Sequence, residues 1–564
     1  MQRAEILNSI TEKSDVSVLI IGAGINGVGA FRDLALQGVD VLLIDRSDFC
    51  SGASAASSHM AHGGIRYLEN GEFRLVREAV EERNRLIQNA PHYVSPLPTV
   101  IPIFKWFSGF LNAPLKFLGL LDRPSERGAA IIKMGLIMYD AYTGAERTVP
   151  RHEFLRREAA LARYPQLNPE IVSIAEYYDG LIRAPERLCV ELVADGEAAG
   201  GRALNYVSVT GAAGGQVRLQ DEMSGESLTV QPQVVINAAG PWIDFANQAL
   251  GQTTQFIGGT KGSHLVLDHP ELRQAIGEHE FFFENNDGRI VLICPLSQRV
   301  LVGTSDIRIT DPDEAVCTEE EIDYFLGMTA RVFPGIKVDR SQIVFTFSGV
   351  RPLPAADAKT TGQISRDHSI ETVEAGNGLD FPILSLVGGK WTTFRAFAEQ
   401  TSDQVLQRLG QARQSSTRNT AIGGGKEYPR TEAEQRAWIE AQHNATGLPR
   451  EMIATLLQRY GTLAAPMSAA LAAKQEQGAT MPLQHQPDYW RGEVAYLAQM
   501  EKIVHLDDFI LRRSSLGMLG LVTRPLLEEL ATVLGDVLGW SAAEQQAELA
   551  RTVALLTRRH RMQL

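Results

Sequence analysis

Cysteine is scarce in this chain: four in 564 residues, Cys50, Cys189, Cys294 and Cys317, far apart and with no Cys-x-x-Cys pair. That spacing excludes a disulfide framework, offers no metal-ligand set, and fits a reducing compartment. Long apolar runs are absent too. A spanning helix needs about 20 predominantly apolar residues, and the one contender, 101–121, is broken by Lys105, Lys116, Pro102 and Pro114. The N-terminal residues carry charges where an export signal needs its apolar stretch, so no such signal is expected. Positive charge is in deficit. The 54 Lys+Arg against 67 Asp+Glu leave a formal −13, which opposes non-specific nucleic-acid binding. No internal repeat or low-complexity tract occurs. The remainder, 44% hydrophobic and 21% charged, has the composition of a soluble globular chain of two or three domains.

What is present begins at Val16 to Ile21, apolar except for Ser17, as a parallel strand buried on both faces should be. It runs into Gly22-Ala23-Gly24-Ile25-Asn26-Gly27, then a helical stretch that Gly38 should stop. A second strand, Val39 to Ile44, ends in Asp45, eighteen residues beyond Gly27. This is a βαβ unit with a phosphate-binding turn. Gly22 permits the tight turn, Gly24 lets the backbone approach a pyrophosphate, and Gly27 lets helix and strand pack closely. Asp45 is placed to accept from ribose hydroxyls. The tract Ser51 to Ser58 follows, small residues that allow a bulky ligand to come near. A reductase fed by a nicotinamide would carry a second glycine fingerprint after a strand, and none is found. Gly423-Gly424-Gly425 follows no strand pattern.

Two later strand-to-helix junctions return to the theme, Val234 to Trp242 and Leu384 to Phe394, and Asn205 to Thr210 reads as a further strand. Between them, alternating runs at 263–267, 289–293, 299–303 and 343–347 predict an antiparallel sheet. Residues 411–429 read as a polar linker. The rest reads as helical, with Leu526, Leu527, Leu530, Val533 and Leu534 on one face of a run opened by Pro525, and Ser541 with Glu544 as a capping box.

The segment Ser57-Ser58-His59-Met60-Ala61-His62-Gly63-Gly64-Ile65-Arg66-Tyr67, taken with the glycine turn, strongly resembles the FAD-dependent glycerol-3-phosphate dehydrogenases. The match continues in the family's order. It passes through Asn237 to Trp242, Lys261 to His264, Gly303 to Asp306, Ser348 to Leu353, Ile364 to Asp367, Gly388 to Thr393 and Arg459 to Thr462, covering essentially the whole chain. The resemblance implies an α/β fold: a discontinuous FAD-binding Rossmann-like domain (1–90, 168–250 and 345–410), an inserted antiparallel-sheet substrate or cap domain (91–167 and 251–344), and a C-terminal helical domain (411–564). It implies oxidation of sn-glycerol 3-phosphate to dihydroxyacetone phosphate, with electrons passed through FAD, held non-covalently, to a membrane quinone.

Cofactor contacts are expected at Gly22, Gly24, Ile25, Asn26, Gly27 and Asp45, and at Ser54, Ser57, Ser58, Gly63 and Gly64. Further contacts are expected at Val209, Ala239, Gly240, Trp242, Gly349, Gly389, Lys390, Trp391 and Thr392. Carried over in the same way, Arg66, Tyr67, Arg351, Arg366 and Lys390 look like the substrate site, with His62 and His264 close to the flavin. A phosphate monoester carries nearly two negative charges and is best held by guanidinium forks. Arg351 and Arg366 lie in or beside apolar strand patterns, where an unpaired cation is costly; a protein carboxylate is the competing partner. Removing the hydroxyl proton suits an imidazole; His62 is the expected base, with Lys390 polarising the nascent carbonyl and Arg351 completing the catalytic set.

Two positions depart from the family pattern: His59 stands where Lys is usual, and Trp391 where Leu is. An oxidase returning electrons to oxygen, and another flavin-dependent hydroxy- or amino-acid oxidoreductase, are the alternatives. The apolar residues Trp106 to Leu121, interleaved with lysines, suit either a bilayer surface or a buried helical hairpin. A peripheral enzyme on the inner face of the cytoplasmic membrane is expected. No nucleic-acid partner and no metal are expected, and the family makes a homodimer plausible.

Overall fold

The computed structural model describes residues 2–65, 72–106, 129–143, 148–284, 290–355 and 367–564. β1 (Asp15–Ile21) is buried on both faces, Val18, Leu19 and Ile20 having no exposed surface. It lies inside a parallel sheet between β2 (Val41–Ile44) and β10 (Ser227–Asn237). β7 (Arg202–Leu204) extends the sheet beyond β2, and β18 (Ile383–Val387) beyond β10, with β17 (Ser369–Val373) antiparallel at that edge. An antiparallel ribbon, β8 (Val207–Ala213) and β9 (Gln216–Asp221), leads into β10. One sheet thus gathers strands from three distant parts of the chain, the discontinuous α/β unit the sequence predicts.

The helices that cover this sheet are α2 (Ile25–Leu36), α5 (Pro185–Ala198) and α6 (Phe394–Leu409); α1 (Arg3–Glu12) packs beneath through Ile6 and Ile10. α2 lies against both α5 and α6. The approach is close because Phe31 rests on Gly196, where an added Cβ would meet its ring at 2.4 Å. A core at this density leaves no room for a methyl group.

The second sheet runs in the order β15 (Ile307–Arg308), β11 (Thr260–Leu267), β14 (Arg299–Gly303), β13 (Ile290–Leu296), β12 (Glu280–Glu284), β4 (Val94–Ile103), β6 (Ser173–Ile182) and β3 (Met60–Ala61). β16 (Ile343–Arg351) pairs along β11, and β5 (Glu153–Arg156) with β6. All its pairs are antiparallel except β12 with β4. α3 (Phe73–Asn89) and α4 (Ala129–Thr143) pack against one end.

Strand pairing divides the chain differently from the ranges read off the sequence. Residues 173–182 and 345–351 fell in the nucleotide-binding ranges there, yet β6 and β16 belong to the second sheet, hydrogen-bonded along β4 and β11. Alternation marks a strand; it does not say which partner the strand takes. The strand expected at Asn205 to Thr210 is also displaced. Tyr206 takes φ 55° between β7 and β8, so that pairing resumes only at Val207.

Residues 411–429 are no loose linker. Gly423–Gly425 is buried, the Gly424 N–H donates to Glu191 Oε2 at 3.0 Å, and a Cβ there would fall 2.0 Å from the Tyr460 carbonyl oxygen. Beyond it, α7 (Glu432–Thr446), α8 (Arg450–Tyr460), α9 (Ala464–Ala473), α10 (Arg491–Met500), α11 (Arg524–Leu538) and α12 (Ala542–His560) form the C-terminal unit. Leu526, Leu527, Leu530 and Leu534 of α11 are fully buried, and the Ser541–Glu544 capping box opens α12. This helical core is continuous with the second sheet through Leu97, Val266, Leu292, Phe345 and Phe347.

Candidate active site

The glycine turn after β1 is fixed by contact. Gly22 has φ +103°, and a Cβ on it would lie 2.6 Å from the Ala238 carbonyl oxygen; one on Gly27 would lie 1.9 Å from that of Gly22. Gly24 caps α2 with no side chain, and the first turn carries no acidic residue. The helix therefore presents its positive end to an anion with no carboxylate in its first turn to compete. One of its early amides, Ile25 N–H, donates to Ser54 Oγ at 2.9 Å. Asp45 accepts from the Ala23 N–H at 2.7 Å and the Ser47 N–H at 2.9 Å. Burial pushes its carboxyl up to about 6, against the pull of those two amides. Ribose hydroxyls donating to it would hold the ionised form.

The far edge of the sheet supplies the rest of this cradle. After β18, Gly388 and Gly389 take φ +78° and +88°, and a Cβ on Gly389 would lie 2.5 Å from Asn26 Nδ2. Asn26 Nδ2 donates to the Gly388 carbonyl at 3.1 Å, while its Oδ1 is buried with no hydrogen-bond partner among the described residues. An orphaned buried acceptor beside a helix N-terminus fits a ligand that brings donors, as a dinucleotide does. Trp391 Nε1 donates to the Ser54 carbonyl at 2.9 Å, and Thr392 Oγ1 to the His62 carbonyl at 3.1 Å. Lys390 stands in this turn, its carbonyl accepting from Thr393 N–H.

The small-residue tract at 51–58 is the seam between the two sheets. Gly52 faces the Trp242 ring, Gly349 of β16 lies on Ala56, and Ser58 Oγ is 2.8 Å from His264 Nε2. Ser57 Oγ accepts from His59 N–H at 3.3 Å. Ala239 and Gly240 form the turn after β10, with Ala239 N–H donating to Asn237 Oδ1 at 3.1 Å. Val209 sits further along β8 and packs against the core of Val207, Val217 and Leu219. Gly63 and Gly64 follow β3, and the Gly63 N–H donates to Asp179 Oδ1 at 2.9 Å.

On the second sheet, Arg351 ends β16. Its Nη2 donates to Thr304 Oγ1 at 3.0 Å and the Ser305 carbonyl at 3.1 Å, and its Nη1 to Asp306 Oδ1 at 3.3 Å. The guanidinium crosses Gly262, where a Cβ would sit 2.3 Å from Nη2. Of the two partners weighed from sequence, the protein carboxylate is the one seen here: Asp306 holds Arg351 at the seam. His264 is stacked on Phe347, centroids 4.7 Å apart, and lies over Gly303, where a Cβ would fall 2.2 Å from its ring. Burial and the nearby Arg351 charge hold its imidazole well below the usual range, so it is neutral at physiological pH.

The structure thus brings together the glycine turn, Asp45, Ser54, Ser58, His62, His264, Gly349, Arg351 and the Gly389–Thr392 turn. Arg66, Tyr67 and Arg366 lie outside the described residues. Thr304, Ser305 and Asp306 were legible as a motif, but not as the clamp on Arg351. Asp179 carried no signal at all.

Residues 17–393 match the family model for FAD dependent oxidoreductases, and residues 415–545 that for the C-terminal domain of alpha-glycerophosphate oxidase. A glycerol-3-phosphate dehydrogenase of Synechocystis sp. is 33% identical over 95% of each chain. That of Pseudomonas aeruginosa is 32% identical over 89% of this chain and 92% of its own. Among solved structures, the glycerol-3-phosphate dehydrogenase from Bacillus halodurans complexed with FAD superposes with a TM-score of 0.76 at 21% identity, covering 98% of this chain and 97% of that one. The fold is shared end to end, helical C-terminal unit included.

Proposed function

The chain belongs to the FAD-dependent glycerol-3-phosphate dehydrogenase family, and from that premise we propose how its residues divide the reaction and where its electrons go. The enzyme oxidises sn-glycerol 3-phosphate to dihydroxyacetone phosphate using FAD. When bound, FAD supplies the two-electron acceptor for the hydride leaving C2. The observation that carries the residue assignment is the seam at 51–58, where the dinucleotide cradle on one sheet meets Arg351 and His264 on the other.

In this reading Arg351, with Arg66 and Arg366, receives the substrate phosphate, its guanidinium pre-oriented by Thr304, Ser305 and Asp306. A planar guanidinium already held in place loses little further entropy when an anion meets it. His62 takes the C2 hydroxyl proton on an imidazole nitrogen. His264, neutral and fixed by Ser58, offers a hydrogen bond without adding charge. Lys390 polarises the oxygen that becomes the carbonyl. Asp45 orders the adenosine ribose.

Membrane quinone is the proposed acceptor, reached at a bilayer surface on the cytoplasmic side. What supports surface association is an apolar corner: Met134 and Ile137 of α4 are 60% and 55% exposed, and Trp106, just beyond β4, is 44% exposed. Most of the expected apolar segment, 107–121, lies outside the described residues. No helix among the described residues is long and apolar enough to cross a membrane. Oxygen as acceptor is the second reading, favoured by the match of 415–545 to the alpha-glycerophosphate oxidase C-terminal domain.

The test is anaerobic. Glycerol 3-phosphate is expected to bleach the visible band of the oxidised flavin, and glycerol and lactate are not. Reoxidation faster by a short-chain quinone than by air supports the quinone acceptor; the reverse order, with peroxide formed, replaces it by oxygen. A band that never bleaches refutes the substrate.

A further inference from the structure

The turn carrying His62, Gly63 and Gly64 is held from behind by a buried polar cluster that the reaction as assigned does not use. The Gly63 N–H is shared between Asp179 Oδ1 at 2.9 Å and Tyr139 Oη at 3.0 Å. Tyr139 Oη in turn donates to the same Asp179 oxygen. Arg83 has no exposed side-chain surface; its Nη1 donates to Tyr139 Oη at 2.9 Å and to the Tyr178 carbonyl at 2.8 Å. Its guanidinium lies 3.5 Å from Asp179 and 5.3 Å from the centre of the Tyr139 ring. Helix α4 and strand β6 each send one side chain to a single backbone amide, and helix α3 sends Arg83 to brace the tyrosine.

The tyrosine hydroxyl is fully committed. It gives its proton to Asp179 and receives hydrogens from Gly63 and Arg83, so its one donor and two acceptor sites are filled. No water layer separates it from the turn, since a Cβ on Gly63 would fall 2.2 Å from Oη. On its other side the turn is tied by Thr392 to the His62 carbonyl. Replacing a buried charged cluster by well-packed apolar residues is often neutral or stabilising. Stability alone therefore does not call for one here, whereas a turn that must sit within a fraction of an ångström does.

We propose that Tyr139, fixed by Arg83 and Asp179, is a positioning residue for the reaction: it sets the height of the His62–Gly64 turn, and so the placement of His62 against the substrate. The inference rests on reading that turn as the substrate side of the site. It assigns Tyr139 no contact with substrate and no proton in the reaction.

Tyr139→Phe keeps the ring and removes only the hydroxyl. In the FAD-loaded enzyme it is expected to lower kcat/KM for glycerol 3-phosphate by about 10- to 100-fold, the scale of a misplaced catalytic group. FAD content, the flavin spectrum and the melting temperature are expected to stay close to wild type. Amide hydrogen exchange in the peptide containing Gly63 should quicken by about 10-fold or more as the turn loses its anchor. Gly63→Ala should give the same kinetic signature, and the double variant should cost less than the two separate effects combined. Wild-type kcat/KM with unchanged exchange in Tyr139→Phe overturns the proposal. So does a loss of FAD and melting temperature that accounts for all lost activity, which makes Tyr139 a packing residue only. The exchange measurement needs no substrate, so it decides the positioning role even if wild type fails to act on glycerol 3-phosphate.

Discussion

Arg351 shows how an arginine in a strand is made useful. Thr304, Ser305 and Asp306 satisfy one side of the guanidinium, and Gly262 clears its path. Arg351→Gln is expected to raise KM for glycerol 3-phosphate about 10- to 100-fold, the worth of one charge-assisted hydrogen-bonded contact, with FAD retained; steady-state kinetics and flavin absorbance check it. Glu280 makes a different case. It is 1% exposed, accepts from Thr99 Oγ1 at 3.0 Å, and burial with Asp179 nearby pushes its carboxyl up to about 8. The folded protein therefore holds a proton there that the unfolded chain releases near the ordinary glutamate value of 4.5. Stability is full below that value and falls as pH rises towards 8. Glu280→Gln should melt above wild type at pH 8.5, by about 1–3 kcal/mol, and the two should converge near pH 5. Thermal melts across that range test this, and a constant difference at every pH would refute it.

At the level of elements, the glycine turn and α4 illustrate local and non-local control. Gly27→Ala puts a methyl group where the Gly22 carbonyl stands, 1.9 Å away. It is expected to abolish FAD binding, seen as colourless protein that added FAD does not restore. Helix α4 is apolar on two sides. Ile132, Leu136 and Tyr139 face the core, while Met134 and Ile137 face out with Lys133. An amphipathic soluble helix would place polar residues outside. On the surface-association reading, Ile137→Asp should weaken sedimentation with anionic vesicles several-fold and leave turnover of a soluble acceptor unchanged. Unaltered sedimentation would remove α4 from the membrane face.

Across the whole molecule, the C-terminal unit is joined to the nucleotide site by charge as well as by its apolar core. Asp48, three residues beyond Asp45, is fully buried and accepts from Arg512 and Arg513 of the π-helical turn Phe509–Arg513, and from Asn205 Nδ2 at 2.9 Å. Arg513→Met leaves that carboxylate short of one partner in a closed interior. A loss of about 3 kcal/mol is expected, read as a lower urea midpoint with unchanged slope. Because the helical core continues into the second sheet, a chain ending at 410 should aggregate; a soluble, FAD-loaded truncation would contradict this.

The sequence by itself determined whatever depends on near neighbours along the chain. The glycine turn, the acid that closes the βαβ unit, the cap at Ser541 and the order of motifs that marks the family are all written in short spacings, because a turn or a cap is decided by covalent geometry within a few residues. Only the tertiary structure decided which sheet β6 and β16 join, that 411–429 is packed, that 51–58 is a seam, and that Tyr139 and Asp179 meet the Gly63 amide. These are pairings between residues tens to hundreds of positions apart. An alternating strand or a lone tyrosine reads the same whichever partner it finds, and the partner is chosen by the burial and hydrogen-bond satisfaction of the folded chain as a whole.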